Sequence, residues 1–195
     1  MRKYLLVVLA LVSIFALTGC GGGDDSTGVF KFTDTEVADG KKLPEKAEQD
    51  GVTFQYPSEW KKPETAMGPA FMITKDAKEE NAMPASLTVM KTPSNPAFAK
   101  MSADDYKKTY EDTLKAQQIE GLEVVKIEKG KWQGADALYM EYKAEMADMK
   151  FHYAMYYYDN GKDAFTIMVT ANGDEWANVE PDLKKILASV TFPKK

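Results

Sequence analysis

Residues 138–171 read LYMEYKAEMADMKFHYAMYYYDNGKDAFTIMVTA, and this stretch decides the fold. Polar and apolar residues alternate through it with period two, the signature of half-buried strands. If Ala147-Asp148 is a two-residue turn, Met146 faces Met149, Glu145 faces Lys150, Lys143 faces His152 and Tyr139 faces Tyr156. One face of this pair then carries Tyr139, Glu141, Lys143, Glu145, Lys150 and His152. The other carries Leu138, Met140, Tyr142, Met146, Met149, Phe151, Tyr153 and Met155. The division is clean, and opposite charges meet across the strands. Asn160-Gly161 then signals a second hairpin, since a type I′ turn needs positive φ at both central residues. It sets Phe165, Ile167 and Val169 beside Tyr156, Ala154 and His152, so the first face turns apolar toward one side of the sheet.

Working outward, 122–128 alternates as a further strand. Short strands are expected at 53–56, 71–74 and 87–90, separated by charged or proline-bearing loops at 61–68, 76–84 and 92–98. Ser102 suits an N-cap, with Asp104 and Asp105 in the first turn. Ala103, Tyr106, Tyr110, Leu114 and Gln117 fall on one helical stripe that Gly121 ends. A last helix runs from Asp174 or Pro181 to Ser189. The expected class is α+β: an antiparallel β-sheet covered by helices on both faces, an α/β/α sandwich.

Two short motifs carry a family resemblance. Gly51-Val52-Thr53-Phe54-Gln55-Tyr56-Pro57-Ser58-Glu59-Trp60 resembles the opening of PsbP-like (Mog1/PsbP) domains: an alternating strand, a Tyr-Pro pair and a following Trp. Ile186-Leu187-Ala188-Ser189-Val190-Thr191-Phe192 is similar to their closing helix and Ser-x-x-Phe-type tail. The resemblance implies an α/β/α sandwich with no shared enzymatic activity, used mostly to bind or scaffold proteins. Pro57 and Trp60 match the motif as structural residues, and a core role for Trp60 is the reading that aromatic packing favours.

The leader speaks of location. Arg2 and Lys3 precede an apolar run over 5–17, then Gly19 and Cys20, the only cysteine. This is the layout of a secretory signal, and with cysteine at the cut it resembles a bacterial lipoprotein signal. The resemblance implies signal residues 1–19, cleavage between Gly19 and Cys20, and lipid on Cys20. The run is shorter than the ~20 residues of a membrane span, so the expected link to the membrane is through lipid, with the cytoplasmic or the outer membrane as the carrier. Residues 20–50 read as the lipidated Cys and a flexible tether, opening Gly-Gly-Gly-Asp-Asp-Ser and spanning about 30 Å root-mean-square. Val29-Phe30-Lys31-Phe32 alternates within it; a solvated linker is the default reading, with a docking segment or an extra edge strand as alternatives. Residues 51–195 form the globular domain.

Removing the leader takes two of the 25 basic residues and none of the 30 acidic ones, moving the net charge from −5 to −7. An acidic body disfavours nucleic acid and anionic headgroups. Every later basic residue is lysine, which weakens any bidentate oxyanion clamp. With Cys20 consumed by lipid, thiol chemistry and internal disulfides are excluded within one chain.

No residue pattern identifies an activity. Met146, Met149 and His152 invite a copper site, since thioethers favour Cu(I), but alternation turns His152 to the face opposite the methionines. No EF-hand, zinc cluster or phosphate loop is present. A lone histidine expected beside Lys143 argues against a Ser-His-Asp triad. No cofactor and no metal are expected. Tyr139, His152, Tyr156 and Tyr158 are the candidate binding surface, their polar ends suited to a glycan or a peptide. The expected function is that of a lipid-anchored extracytoplasmic accessory protein, not an enzyme, acting on an envelope protein partner. A small-molecule or glycan binder with a pocket between sheet and helix is the alternative, and an envelope structural factor is a third.

Overall fold

The computed structural model describes residues 28–29, 43–63, 71–78, 82–116, 122–146 and 149–193. The leader, Cys20, the Ala147-Asp148 turn and Gly121 lie outside them. Ten strands occur in chain order: β1 (Gly28–Val29), β2 (Glu45–Gln49), β3 (Val52–Tyr56), β4 (Trp60–Lys61), β5 (Phe71–Lys75), β6 (Ala85–Pro93), β7 (Glu123–Trp132), β8 (Ala135–Met146), β9 (Met149–Asp159) and β10 (Asp163–Asn172). Helices α1 (Pro96–Lys100) and α2 (Ala103–Ala116) lie between β6 and β7, and α3 (Trp176–Ser189) closes the chain. Eight strands make one sheet in the order β1-β7-β8-β9-β10-β6-β5-β4, and β2 pairs with β3 as a separate hairpin. All pairings are antiparallel except β1 on β7. The architecture is a predominantly antiparallel sheet with few helices.

The β8–β9 register is the one that alternation predicts: Met146 opposite Met149, Glu145 opposite Lys150, Lys143 opposite His152, Tyr139 opposite Tyr156. The β9–β10 register is not. Asp159 pairs with Ala164 and Tyr158 with Phe165, so the connection holds four residues, not two. Only Gly161 has positive φ, at 86°. Side chains close the loop instead: Asn160 Oδ1 accepts from the amides of Lys162 and Asp163, and Asp159 Oδ1 accepts from that of Gly161. The slip is two residues, an even number, so parity survives and Phe165, Ile167 and Val169 keep the expected face.

Two buried clusters follow from that parity. On one face Leu138, Met140, Tyr142, Tyr153, Met155 and Tyr157 pack with Phe98 of α1 and Tyr110 of α2. On the other, Tyr156, Tyr158, Phe165 and Ile167 pack with Phe54, Trp132, Phe192 and the α3 side chains Leu183, Ile186 and Leu187. Trp60 lies in this second cluster at 1% exposure, and its indole donates to Asp182 at 3.1 Å.

Local chemistry sets the element ends. Ser102 Oγ accepts from the Asp105 amide at 3.1 Å, the expected cap of α2. Helix α1 falls where a loop was expected: Asn95 accepts from the Ala97 amide and Pro96 takes the first helical position, where proline is pre-shaped. Helix α3 follows a 3-10 turn at Gly173–Glu175 and runs straight through Pro181. The domain start drawn at Gly51 cuts a hairpin. Glu45–Gln49 pairs with Val52–Tyr56 across Asp50 and Gly51, both at positive φ, and buries Ala47. One buried residue among charged ones left no apolar stripe to see. Val29 lies in the edge strand β1, one of the alternatives to the solvated linker that was the default for its segment; Phe30 to Phe32 lie outside the described residues.

Candidate functional site

Tyr139, His152, Tyr156 and Tyr158 share one sheet face because all four sit at matching parity on β8 and β9. That face is interior. His152 is 5% exposed, Tyr156 8% and Tyr158 5%, while Tyr139 is half-buried. Each has a cover. The Trp176 indole stacks on the His152 ring at 3.9 Å and 16°. The Phe192 ring stacks on Tyr158 at 3.7 Å and 2°. Trp132 meets Tyr156 edge-on at 6.0 Å, and Tyr139 lies 4.7 Å from Tyr156. The four do not form an open aromatic wall; α3 and the C-terminal tail lie over them.

The polar atom that organises the group is one the sequence reading left unassigned. Glu141 accepts from the Tyr139 hydroxyl at 2.5 Å through Oε2 and from His152 Nε2 at 2.7 Å through Oε1. In register His152 stands opposite Lys143, but its ring turns to the diagonal neighbour Glu141, which is within reach on the same face. Part of the signal was available: Glu141 and Glu145 both stand two residues from Lys143 on that face, and Glu145 faces Lys150. Trp176 left no comparable sign. Burial holds the His152 imidazole below its ordinary pKa, opposed by the hydrogen bond to Glu141. Burial, then neighbouring Tyr156 and Glu141, push the Tyr139 hydroxyl up. Glu141 therefore holds together a phenol and an imidazole whose burial favours their neutral forms. Such a chain fixes two strands to α3, because the indole seated on the imidazole belongs to the first turn of that helix.

A second polar node, at the other end of β9, is similarly inward. Asp159 accepts from Ser94 Oγ at 2.7 Å, the Asn95 amide at 3.1 Å, Tyr157 at 3.1 Å and the Gly161 amide at 2.7 Å. Beside it a cleft of about 250 Å³ runs between Ser94, Lys131, Asp136 and Gly161. A wider one of about 590 Å³ lies between the β2–β3 turn and Met90, Lys91, Pro93 and Lys162. Both sit at strand ends and neither is lined by an aromatic ring, unlike the aromatic pocket between sheet and helix of the small-molecule reading. Among the described residues no group of three or more His, Cys, Asp or Glu side chains is placed to hold a metal ion, and no helix is long and apolar enough to cross a membrane.

Comparison with known proteins agrees with this architecture. The PsbP family model matches residues 45–192, so the matched region begins with β2. The fold is shared with the cyanobacterial PsbP (CyanoP) of Synechocystis, at TM-score 0.55 and 16% identity over 76% of this chain and 92% of that one. LpqN of Mycobacterium tuberculosis, described as involved in cell envelope biogenesis, gives 0.54 and 14% over 73% and 83%. The Ran-binding protein Mog1p of Saccharomyces cerevisiae gives 0.52 and 8% over 75% and 94%. At these identities the likeness is one of fold. No curated protein sequence matches the chain.

Proposed function

Because the chain belongs to the PsbP family over residues 45–192, we propose that it is a non-catalytic accessory protein of the cell envelope, lipid-anchored at Cys20 and acting through contact with a protein partner. In this reading residues 1–19 are the signal peptide, residues from Cys20 to the first domain hairpin are the tether, and the domain works outside the cytoplasm. The sheet with α1 and α2 against one face and α3 against the other is an α/β/α sandwich. Nucleic acid is not a partner, since the body beyond the leader is acidic.

One observation carries the reading. The side chains best suited to chemistry or ligand capture, His152 with Tyr156 and Tyr158, are buried and engaged with one another's neighbours. What is left to meet another molecule is the outer surface of charged strands and helices. Proteins on the same fold support this use: Mog1p binds Ran, and LpqN is involved in cell envelope biogenesis.

The test is photo-crosslinking in intact cells from Val125, an exposed apolar side chain on β7, beside a Cys20→Ser strain. Discrete protein adducts, and palmitate labelling lost in the Ser variant, are expected. Saturable binding of a glycan or small molecule by the purified protein, with no protein adduct, would replace this reading with the ligand-binding one.

A further inference from the structure

Strand β7 is the outer strand of the large sheet over most of its length. Its inner side pairs with β8 from Glu123 to Trp132, while its outer side is covered by β1 at two positions, Gly28 opposite Gly130 and Val29 opposite Lys131. The part that no other described residue pairs with carries devices that keep edges from recruiting strangers. A register irregularity between Val124 and Lys126 breaks the ladder. Lys126 and Glu128 set charges along it, paired at 3.1 Å. Gly130 has neither bulge nor side chain, and there the chain covers its own edge, glycine against glycine.

The position of β1 in the chain gives this contact a mechanical meaning. Eight positions separate Cys20 from Gly28, and twenty-five separate it from Glu45, where the β2–β3 hairpin begins. Fully extended, these reach about 28 Å and about 86 Å. We propose that Gly28–Val29 is a strap that sets the standoff between membrane and domain: docked on Gly130–Lys131 it holds the β7 edge within about 28 Å of the lipid, and released it lets the domain range about three times farther. The proposal rests on lipid attachment at Cys20. A two-residue parallel pairing is small enough to open, because each hydrogen bond adds only about 0.5–1.5 kcal/mol net. Docked and released, the strap thus gives two contour limits of tether from one sequence.

The experiment uses the full lipidated chain in phosphatidylcholine vesicles. A dye is placed on Glu48→Cys, an exposed position, and energy transfer is read to an acceptor lipid. Gly28→Pro/Val29→Pro removes whichever of the two amides faces β7, since consecutive amides of a strand point to opposite edges. Its transfer is expected to fall at least twofold, with the melting temperature of the domain retained. In the parent chain the amide of Gly28 or Val29 that faces β7 is expected to exchange more slowly than those of Gly22 and Gly23. Unchanged transfer in the proline variant, with the lipid mass present on the N-terminal peptide, overturns the strap alone. Absence of that lipid mass overturns the anchor and the standoff with it, and the exchange measurement then reports whether β1 docks at all.

Discussion

Tyr153→Phe should make this protein more stable, and the neighbouring Tyr142→Phe should make it less so. The two rings stack at 4.6 Å and 10° inside the same cluster. Both residues are almost fully buried, at 0% and 1% exposure. Their hydroxyls differ. That of Tyr142 is hydrogen-bonded to Tyr110, whereas that of Tyr153 is buried with no partner among the described residues. Burying a polar group unpaired costs about 1–3 kcal/mol in protein mutational data, and a satisfied hydrogen bond is worth about 0.5–1.5 kcal/mol net. Phenylalanine keeps the ring, the volume and the stack. Removing the Tyr153 hydroxyl should thus stabilise by about 1–2 kcal/mol, and removing that of Tyr142 should destabilise by about 1 kcal/mol. For a domain of this size 1 kcal/mol moves Tm by roughly 2–4 °C, so the variants should bracket the parent. Thermal and urea unfolding followed by circular dichroism would measure both. A Tyr153→Phe chain that melts below the parent by as much as Tyr142→Phe would refute the reasoning, because that hydroxyl would then have a partner.

Three further outcomes are expected. Burial lowers the His152 pKa, so the unfolded chain takes up this proton first; the stability His152 contributes is complete above about pH 6.5 and declines as pH falls below it toward the folded value. The slope of Tm between pH 7 and pH 5.5 should therefore be shallower in His152→Gln, and equal slopes would show that the imidazole is not desolvated. A chain starting at residue 43 should melt with the full protein, while one starting at Gly51 should melt more than about 5 °C lower, having lost β2 and the cover it gives Val52 and Phe54; equal melting would place the domain start back at Gly51. Asp159→Ala, which strips the acceptor from four donors, should cost about 2–4 kcal/mol and broaden the amide signals of Gly161 and Asn95; a change within 0.5 kcal/mol, the range of ordinary surface substitutions, would mean that the backbone closes that loop unaided.

How far the sequence reached follows from what each signal encodes. Strand parity encodes which residues share a face, so Tyr139, Glu141 and His152 came out together and the β8–β9 register was correct throughout. Parity does not encode what lies over a face. Tyr156 and Tyr158 could be grouped, but their cover is Phe192 and α3, joined to them only through distant chain. Dipeptide turn rules encode backbone preference alone. They missed the loop at 160–163 because carboxylate and amide side chains of Asp159 and Asn160 supply the hydrogen bonds that a type I′ turn would make with backbone. Periodicity is silent for β2, where Ala47 is the single buried residue; at β1 the alternation starting at Val29 gave a sign, too short to say where the strand docks.

The first and last parts of the domain are sewn together. Thr53 and Thr191 exchange backbone hydrogen bonds of 3.0 and 2.8 Å, and Ser189 Oγ accepts from the Gln55 amide across 134 residues of chain. Closing a loop of that length carries an entropy cost of about 4 kcal/mol from the logarithmic term alone. During synthesis or export the opening hairpin can pack on Phe71 of β5, but it lacks these bonds until residues 189–191 arrive. A chain stopped at residue 188 would possess every strand of the large sheet and still leave Trp132 and Tyr158 without Phe192. Completion of this domain therefore waits on residues 189–192, and a truncation that removes them takes the strand closure and the Phe192 cover together.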